Sequence, residues 1–224
     1  MSSLHTNTPH AQQSAQVHTD GRTSRGERSK KQIISAALSL IGEGGALTIA
    51  SVALRADLSI RTVFQHCRCV DGLYSTLRVK ILYELIDGLV CIQELQGKNL
   101  EARVLSAIEE LRRVFVPDVQ TMRRVNWVFG SAFLTESFSS DEAEVGVQFN
   151  DKMQSIVSML LVDEKQHFGQ RDNVAYTALR SILGAQLHPK MLVPLLTEGV
   201  SFVGLNHMLV GTIREFLRAL TKPA

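Results

Sequence analysis

The feature that most constrains the fold is the segment 48–67, TIASVALRADLSIRTVFQHC. Thr48 is a candidate N-cap of a first short helix, because its hydroxyl oxygen can accept a hydrogen bond from a free backbone N–H of the first turn. Residues 56–58 form a turn, and Ser59 is a candidate N-cap of a second short helix that runs to about His66. Two short helices across a tight turn, the second capped and polar on its outer side, predict a helix-turn-helix.

The second short helix combines an apolar side with side chains that suit DNA. Arg61 can pair with guanine and Gln65 with adenine, while Thr62 can contact a phosphate or a base. Val63 and Cys67 lie four residues apart and can face the core. Since the second helix of a helix-turn-helix lies in the major groove, the segment predicts a DNA-reading helix. An ordinary surface helix is the alternative, because such helices also carry Arg, Thr and Gln.

Charge is distributed unevenly along the chain. The net charge is +2, but residues 1–80 hold ten Lys and Arg against five Asp and Glu, while the remainder holds fourteen against seventeen. Five of the basic side chains fall within residues 22–31. A basic end on a mildly acidic body is typical of polyanion binding. Residues 22–31 are therefore either an arm that contacts phosphates or a solubilising tail.

The rest of the sequence predicts helices. Apolar residues recur at spacings of three and four, and no run of alternating β-branched residues bounded by turns is found. A long helix is predicted from about Leu73 to Leu95. Breaks are predicted at residues 42–45, 97–99, 117–118, 139–141 and 163–173, at His188-Pro189 and at Pro194. We predict an all-α fold of about nine helices, with a disordered tail at 1–24, a helix-turn-helix domain at 25–72 and a larger helical bundle at 73–224.

The sequence contains no motif of a catalytic site. Gly-x-Ser-x-Gly, His-Glu-x-x-His and paired Cys-x-x-Cys are all absent from it. The acidic groups Glu109-Glu110 and Asp141-Glu142-Glu144 are predicted to lie on solvated helix faces. We predict that the protein is not an enzyme and needs no cofactor.

The cysteines indicate a reducing compartment. The chain has three of them, and neither their sparse spacing nor the polar N-terminus suits a secreted protein. No apolar run is long enough for a membrane helix, so a cytoplasmic protein is predicted. His66, Cys67 and Cys69 lack the spaced pairs of a closed zinc site, and no metal is predicted. A redox-sensing thiol at Cys69, beside Arg68, is an open alternative.

Residues 28–77 resemble the N-terminal domain of the TetR family of bacterial transcription regulators. The family pattern has an Ile/Leu-x-x-Ala helix that ends near a Gly, a Thr-led short helix, a turn ending in a small apolar residue and Ser, and then Thr-hydrophobic-Tyr/Phe-x-His/Tyr. The matching residues are Ile34, Ala37, Gly44, Thr48, Val52, Ala53, Leu58, Ser59, Thr62, Val63, Phe64, His66, Asp71 and Leu73. The resemblance implies a DNA-binding head on a helical body that dimerises and holds an effector.

The resemblance also implies roles for individual side chains. Thr48, at a helix N-terminus, and Arg68 would contact phosphates, and Phe64 and His66 would lie near the DNA backbone or a thymine methyl group. The complete predicted DNA-binding set is Thr48, Ser59, Arg61, Thr62, Phe64, Gln65, His66 and Arg68.

Three positions depart from the family pattern. Asp57 replaces the usual turn Gly, but Asp tolerates a left-handed backbone better than most residues. Phe64 replaces a Tyr and Val70 replaces a Lys, so two side chains that could bind phosphates are missing. Each lost hydrogen bond to a phosphate would weaken DNA binding by about 1–3 kcal/mol. The basic residues 22–31 would compensate for this weaker phosphate binding.

The body is predicted to hold the effector among aromatic side chains of residues 118–153, since ligand pockets are mostly apolar. Ordinary core packing is the alternative for each of these side chains. Arg123, Arg124 and Asn126 would add polarity if they face inward. The predicted ligand-binding residues are Met122, Trp127, Phe129, Phe133, Phe149 and Met153.

The last two long helices are predicted to form the dimer interface. Small residues at heptad-like spacing let helices approach closely, and two helices from each subunit would give a four-helix interface. Packing within one subunit is the alternative. The predicted interface residues are Ala178, Ser181, Ala185, Val203, Gly204, His207, Val210 and Gly211.

The sequence therefore predicts a ligand-responsive DNA-binding transcription regulator. Its homodimer would repress by binding a palindromic operator in double-stranded DNA, and a small-molecule effector would favour the DNA-free state. The alternative is a helical ligand-binding or protein-interaction module with a relic DNA-binding head, which Phe64 and Val70 motivate.

Overall fold

The computed structural model describes residues 10–131, 139–162, 173–197 and 202–221. Within these ranges the chain forms ten helices and no strand, which confirms the all-α prediction with one helix more than the number expected. The helices are α1 (His10–Glu43), α2 (Ile49–Ala56), α3 (Ile60–Cys67), α4 (Val70–Val90), α5 (Leu100–Phe115), α6 (Val119–Ser131), α7 (Ser140–Leu160), α8 (Asn173–Leu187), α9 (Pro189–Thr197) and α10 (Phe202–Thr221).

Helix α1 extends much further towards the N-terminus than its buried part. It begins at His10, so residues 10–24 are helical where the composition predicts disorder, and residues 1–9 lie outside the described ranges. Residues 10–24 contain several Ala and Gln, which are good helix formers, and they continue a helix that tertiary packing stabilises. That packing comes from the predicted apolar stripe, in which Ile33, Ala37 and Leu40 are all buried.

The C-terminus of α1 is closed by its glycines, as the sequence predicts. Gly44 has φ of 77°, a left-handed conformation that Gly adopts at little cost. The N–H of Gly45 bonds to the carbonyl of Leu40 at 2.8 Å, and the N–H of Gly44 bonds to that of Ile41 at 3.0 Å. These two bonds form a Schellman motif, which satisfies carbonyls that the end of a helix leaves free.

Helix α4 joins the N-terminal helices to the body. It contacts α1 and α3 on one side of the molecule and α5, α6 and α7 on the other. Leu73, Leu77, Ile81 and Leu85 are all buried along its length. One hydrophobic core therefore runs from the helix-turn-helix into the body along α4, and α1 also packs against α6.

Two predicted helix boundaries are wrong. The helix expected from Leu73 to Leu95 begins at Val70, where the Cys69 side chain caps its start, and ends at Val90, where the chain turns at Cys91. Pro194 lies inside α9 rather than at a break. A proline inside a helix removes one backbone hydrogen bond, and the burial of Leu192 and Val193 on the same helix offsets that loss.

Other helix starts follow the predicted breaks. The side chain of Asn99 accepts a hydrogen bond from the N–H of Ala102 at 2.9 Å and caps α5. Ser139 caps α7 through the N–H of Glu142. In the part of the chain that the structure describes, no helix is both long and apolar enough to cross a bilayer.

Candidate nucleic-acid interface and ligand cavity

The start of α2 is closed by a reciprocal pair of hydroxyl groups. The Oγ1 of Thr48 accepts a hydrogen bond from the N–H of Ser51 at 3.0 Å, and the Oγ of Ser51 accepts one from the N–H of Thr48 at 2.9 Å. This arrangement is a capping box. Thr48 is exposed, and its position at a helix N-terminus leaves it where a phosphate can approach.

The turn between α2 and α3 depends on the backbone of Asp57. Its φ of 54° and ψ of 45° are left-handed, the conformation that the usual Gly would adopt more easily. The N–H of Asp57 bonds to the carbonyl of Leu54 at 3.3 Å, and that of Leu58 bonds to Ala53 at 3.0 Å. The predicted tight turn is therefore a second Schellman motif.

Helix α3 is anchored by one side chain and exposes the others. Val63 is fully buried, as predicted, whereas Arg61, Gln65 and His66 are exposed. The ring of Phe64 is 46% exposed, so this aromatic side chain lies on the surface with the polar groups. The outer side of α3 thus presents donors, an acceptor and an apolar ring together.

Two predicted DNA-contacting hydroxyls are bonded to each other. The Oγ of Ser59 caps α3 by accepting from the N–H of Thr62 at 3.1 Å, and the two hydroxyl oxygens lie 2.8 Å apart. Thr62 is half-buried. These hydroxyls cap the start of the helix, and the hydroxyl proton that is not used between them can still be donated to a phosphate.

The turn after α3 brings the next predicted residues to the surface. Arg68 is exposed with φ of 60°, and the Sγ of Cys69 accepts from the N–H of Gly72 at 3.3 Å. A Cβ on Gly72 would lie 2.3 Å from the carbonyl oxygen of Cys67, so only Gly fits there. Burial, and then the neighbouring Cys69, raise the pKa of the Cys67 thiol, which keeps it protonated and unreactive at neutral pH.

A clamp between α1 and α2 orients the helix-turn-helix. The guanidinium of Arg55 donates to both carboxylate oxygens of Glu43, at 2.7 and 2.6 Å, and also to the hydroxyl of Ser39 at 3.0 Å. The hydrogen bonds from Arg55 and then Ser39 lower the pKa of Glu43 to about 2. No local pattern in the sequence predicts this clamp, because Arg55 lies twelve and sixteen residues from its two partners.

The basic segment lies along α1 rather than in a flexible arm. Arg25, Arg28, Lys30 and Lys31 are exposed on this helix. Together with the outer side of α3, they form the positively charged part of the head.

The body contains a cavity of about 320 Å³ between α4, α6, α7 and the turn before α9. Two of the predicted ligand-binding residues, Phe129 and Phe149, line it. Their rings lie 5.3 Å apart, and the ring of His188 stands edge-on to Phe129 at 5.2 Å. Its described lining residues are Arg78, Leu82, Val128, Phe129, Glu142, Gly146, Phe149, Asn150 and His188.

The other predicted ligand-binding residues do not line this cavity among the residues described. Met153 is buried in the core, and Met122 packs against the core from its edge. Trp127 stands edge-on to Tyr74, with 5.5 Å between ring centroids, at a second, more open cavity of about 530 Å³ beside the end of α1. Phe133 lies outside the described ranges.

A buried ion pair contributes to the cavity wall. The Nη1 of Arg78 lies 3.0 Å from the Oε1 of Glu142, and both side chains are about 95% buried, with exposed fractions of 5% and 4%. The prediction that Glu142 is solvated is therefore wrong, because its helix packs directly on α4. The pattern Ser-x-x-Glu at Ser139 was the available signal: in a capping box the Glu turns back towards its own helix start, and here its Oε2 accepts from the N–H of Ser139 at 2.9 Å.

Burial alone would raise the pKa of Glu142. The hydrogen bond from the Ser139 amide and the Arg78 guanidinium outweigh that effect, and the pKa lies below its usual value. The pair is therefore ionised at neutral pH. The Arg78 guanidinium also lies 5.8 Å from the centroid of the Trp127 ring, within the range of a cation–π contact.

Comparison with known proteins gives no match by sequence and clear matches by structure. No protein-family model and no curated protein sequence matches the chain. A transcriptional regulator from Rhodococcus sp. Rha1 has a TM-score of 0.53 at 18% identity, over 84% of this chain and 96% of its own. FadR from Bacillus subtilis, a transcriptional regulator solved in complex with stearoyl-CoA, has a TM-score of 0.52 at 13% identity, over 82% and 97%. The chain shares the all-α fold of these two proteins.

The predicted dimer face is only partly exposed. Ser181, Ala185, Gly204 and His207 are exposed, and the lesser exposure of Ala178 and Gly211 places them at its edge. Val210 is 6% exposed, so it packs inside its own subunit and does not belong to the exposed face. The side chain of Val203 lies outside the described residues.

Three contacts connect the N-terminal helices to the body. The Nη1 of Arg123 donates to the carbonyl of Gly42 at 3.1 Å, and the Nε of Arg124 donates to that of Leu38 at 3.2 Å. The hydroxyl of Tyr74 donates to the carbonyl of Leu47 at 3.1 Å. Arg123 and Arg124 therefore link α6 to the end of α1, and Arg123 also lines the cavity of about 530 Å³ together with Asn126.

Proposed function

We propose that the protein is a TetR-like DNA-binding transcription regulator, a ligand-responsive repressor that binds a palindromic operator as a homodimer. The observation that carries this proposal is the outer side of α3. Val63 anchors the helix while Arg61, Gln65 and His66 face solvent. In a helix-turn-helix that side enters the major groove, where Arg suits guanine and Gln suits adenine.

The surroundings of α3 support the same proposal. Thr48 is exposed at the start of α2 and Arg68 at the end of α3, so a phosphate contact is available on each side of the reading helix. The exposed cations Arg25, Arg28, Lys30 and Lys31 on α1 add sequence-independent attraction to the duplex.

The homodimer is proposed from the small and polar residues on α8 and α10. Ala185, Ser181 and Gly204 are exposed on these helices, and small side chains allow helices to approach closely. Two symmetric heads would then meet two half-sites, which is why the operator is proposed to be palindromic.

The ligand response is proposed from the cavity between α4 and α7. Its aromatic wall and few polar groups are typical of a small-molecule site. The stearoyl-CoA complex of the Bacillus subtilis regulator indicates that a protein of this fold can hold a ligand. Because α4 contacts α3 as well as the cavity, a ligand that favours one position of α4 would bias the position of the head.

Selection from random duplex DNA tests the proposal. We expect enrichment of a palindrome. The Arg61→Ala variant should bind this site at least about tenfold more weakly than wild type, because one bidentate contact to guanine is worth about 1–3 kcal/mol. Replacing Arg25 and Arg28 with Gln is the matched control, since it should weaken binding to all DNA and flatten the salt dependence by about one unit for each phosphate that is no longer neutralised. Equal affinity of wild type and Arg61→Ala for the selected site would exclude the reading role of Arg61.

The second candidate function is a ligand-binding or interaction module whose head no longer binds DNA. The exposed apolar side chains of Phe64 and Val70, 46% and 39% exposed, favour it, because they stand where a hydroxyl and a cation would meet phosphates in the family pattern. No enrichment from random DNA at low salt would support this candidate over the repressor.

A further inference from the structure

The volume of the cavity between α4 and α7 suits a small ligand. Its volume of about 320 Å³ is at the lower end of the 300–1,000 Å³ range of ligand sites. Leu82, Val128 and the rings of Phe129 and Phe149 supply an apolar wall. Because a cavity of about 150 Å³ holds one benzene ring, a space of this volume suits an apolar body of one or two rings.

The charged residues of the cavity favour a ligand without net charge. Of the residues that the structure describes around it, Arg78 carries a positive charge and Glu142 a negative one, and the two form a buried pair at 3.0 Å. A ligand with a net charge would enter a space where that charge has no counter-ion, because each member of the pair already neutralises the other. Burying an uncompensated charge is strongly unfavourable.

His188 supplies a hydrogen-bond donor without adding charge. Burial, and then the cation of Lys190, lower the pKa of His188, so its imidazole is neutral at pH 7. Its Nδ1 accepts a hydrogen bond from the N–H of Lys190 at 3.3 Å, which assigns the single ring proton to Nε2. A neutral imidazole of this tautomer donates to an oxygen acceptor.

From these features we infer that the cavity binds a small uncharged molecule with an apolar body of one or two rings and one hydrogen-bond-accepting oxygen, of the class of aromatic ketones, aldehydes and alcohols. The two aromatic side chains hold the body and the His188 imidazole holds the oxygen. The Arg78–Glu142 pair excludes carboxylates and amines of the same size. This inference rests on the proposed function in one respect, namely that the bound molecule acts as the effector.

Calorimetric titration of the full chain with matched probes tests the chemical class. Acetophenone, benzoate and benzylamine have the same ring and differ in charge. We expect acetophenone to bind and the two ions to bind at least about tenfold more weakly. Binding of either ion as tight as that of acetophenone, or no acetophenone binding up to about 10 mM, would overturn the inference.

A cavity-filling series tests the location. Gly146 lines the cavity, and a Cβ built on it meets no atom within 4 Å, so Gly146→Ala and Gly146→Leu can add volume without displacing the backbone. Gly130 on α6 has the same open surroundings and does not line the cavity, which makes Gly130→Leu the matched control. We expect acetophenone affinity to fall about threefold in Gly146→Ala and at least about tenfold in Gly146→Leu, with less than about a twofold change in the control.

Unchanged affinity in a folded Gly146→Leu variant would place the probe elsewhere and overturn the inference. Should that variant not fold, unchanged affinity in Gly146→Ala would do the same. His188→Phe keeps a ring and removes the donor. It should abolish the preference for acetophenone over ethylbenzene, and a preference that survives would overturn the role of His188.

The same probes separate this inference from the proposed function. Calorimetry measures binding of a probe to the protein without DNA. Release of the protein from its selected operator measures whether that probe changes DNA binding. Binding of acetophenone without release of DNA would support the cavity assignment and count against the ligand-responsive repressor. Release by benzoate but not by acetophenone would support the repressor and overturn the uncharged-ligand inference.

Discussion

At the scale of single residues, the helix-turn-helix depends on one left-handed backbone position. Asp57 has φ of 54° and follows the last residue of α2. A left-handed backbone costs an ordinary L-residue about 1–2 kcal/mol, and Asp and Asn pay less because their short polar side chains can hydrogen-bond locally. The chain therefore forms the turn without the glycine that this position usually carries.

Substitutions at Asp57 should follow this backbone preference. We expect Asp57→Val to lower the free energy of unfolding by about 1–2 kcal/mol, and Asp57→Asn to change it by less than about 0.5 kcal/mol. Urea denaturation followed by circular dichroism measures both values. Equal losses in the two variants would attribute the effect to the carboxylate rather than to the backbone.

The Glu43–Arg55 clamp should make stability depend on acid pH. The pKa of Glu43 is lowered from 4.5 to about 2 by the hydrogen bonds from Arg55 and Ser39. Because the folded pKa lies below the unfolded one, the contribution of the clamp is fully present above pH 4.5 and is lost as the pH falls towards 2.

The Glu43→Gln variant isolates this contribution from those of other carboxylates. Between about pH 6 and about pH 2.5, the urea midpoint of the wild type should fall further than that of Glu43→Gln, and the two should converge at the acid end. Parallel curves for the two proteins would contradict the assignment of the clamp to Glu43.

At the scale of helices, the Arg78–Glu142 pair joins α4 to α7 at the cavity. Removing one member of a buried ion pair typically costs about 3–5 kcal/mol, because the remaining charge is left without a partner. Glu142→Gln keeps a group that can cap α7 and removes only the charge, so we expect a loss of this size. Arg78→Met combined with Glu142→Gln should recover much of it, as a double-mutant cycle by urea denaturation would measure. Additive losses would show that the charges are not coupled.

Helix boundaries from the end of α1 to the start of α3 were predictable because local chemistry decides them. The hydroxyls of Thr48 and Ser59 close helix starts, the glycines after Glu43 close a helix end, and Asp57 can adopt the left-handed turn. Each signal lies within a few residues of the position that it controls.

The cavity was only half predictable for the opposite reason. Aromatic composition pointed to Phe129 and Phe149. Arg78 and Glu142 lie 64 residues apart, and although the Ser-x-x-Glu pattern marks Glu142 as a capping residue, nothing in the sequence pairs it with Arg78. His188 likewise looked like part of a break before Pro189. Which polar groups meet depends on the packing of α7 on α4, and periodicity within one helix does not specify that packing.

At the scale of the whole molecule, α6 connects the head to the body through two arginines. Arg123 and Arg124 donate to the carbonyls of Gly42 and Leu38 near the end of α1. Trp127, the only tryptophan of the chain, lies on the same helix against Tyr74. Its fluorescence therefore reports on this contact between α6 and the end of α1, which we call the joint.

Loss of both arginine links should let the joint open before the rest of the protein unfolds. We expect Arg123→Gln with Arg124→Gln to lower the free energy of unfolding by about 1–3 kcal/mol. The Trp127 fluorescence transition in urea should then precede the loss of helical circular dichroism, whereas the two coincide in wild type. Arg112→Gln, which breaks an exposed pair with Glu109, is the control and should leave the transitions coincident.

The acceptors in this joint are main-chain carbonyls, which every residue type provides. Exchanging the side chain of Leu38, or of any other residue near the end of α1, therefore does not remove an acceptor as long as the helix persists. The residue types that form the connection are therefore required on α6 only, so the exposed side chains of α1 can change while the linkage to the body stays the same.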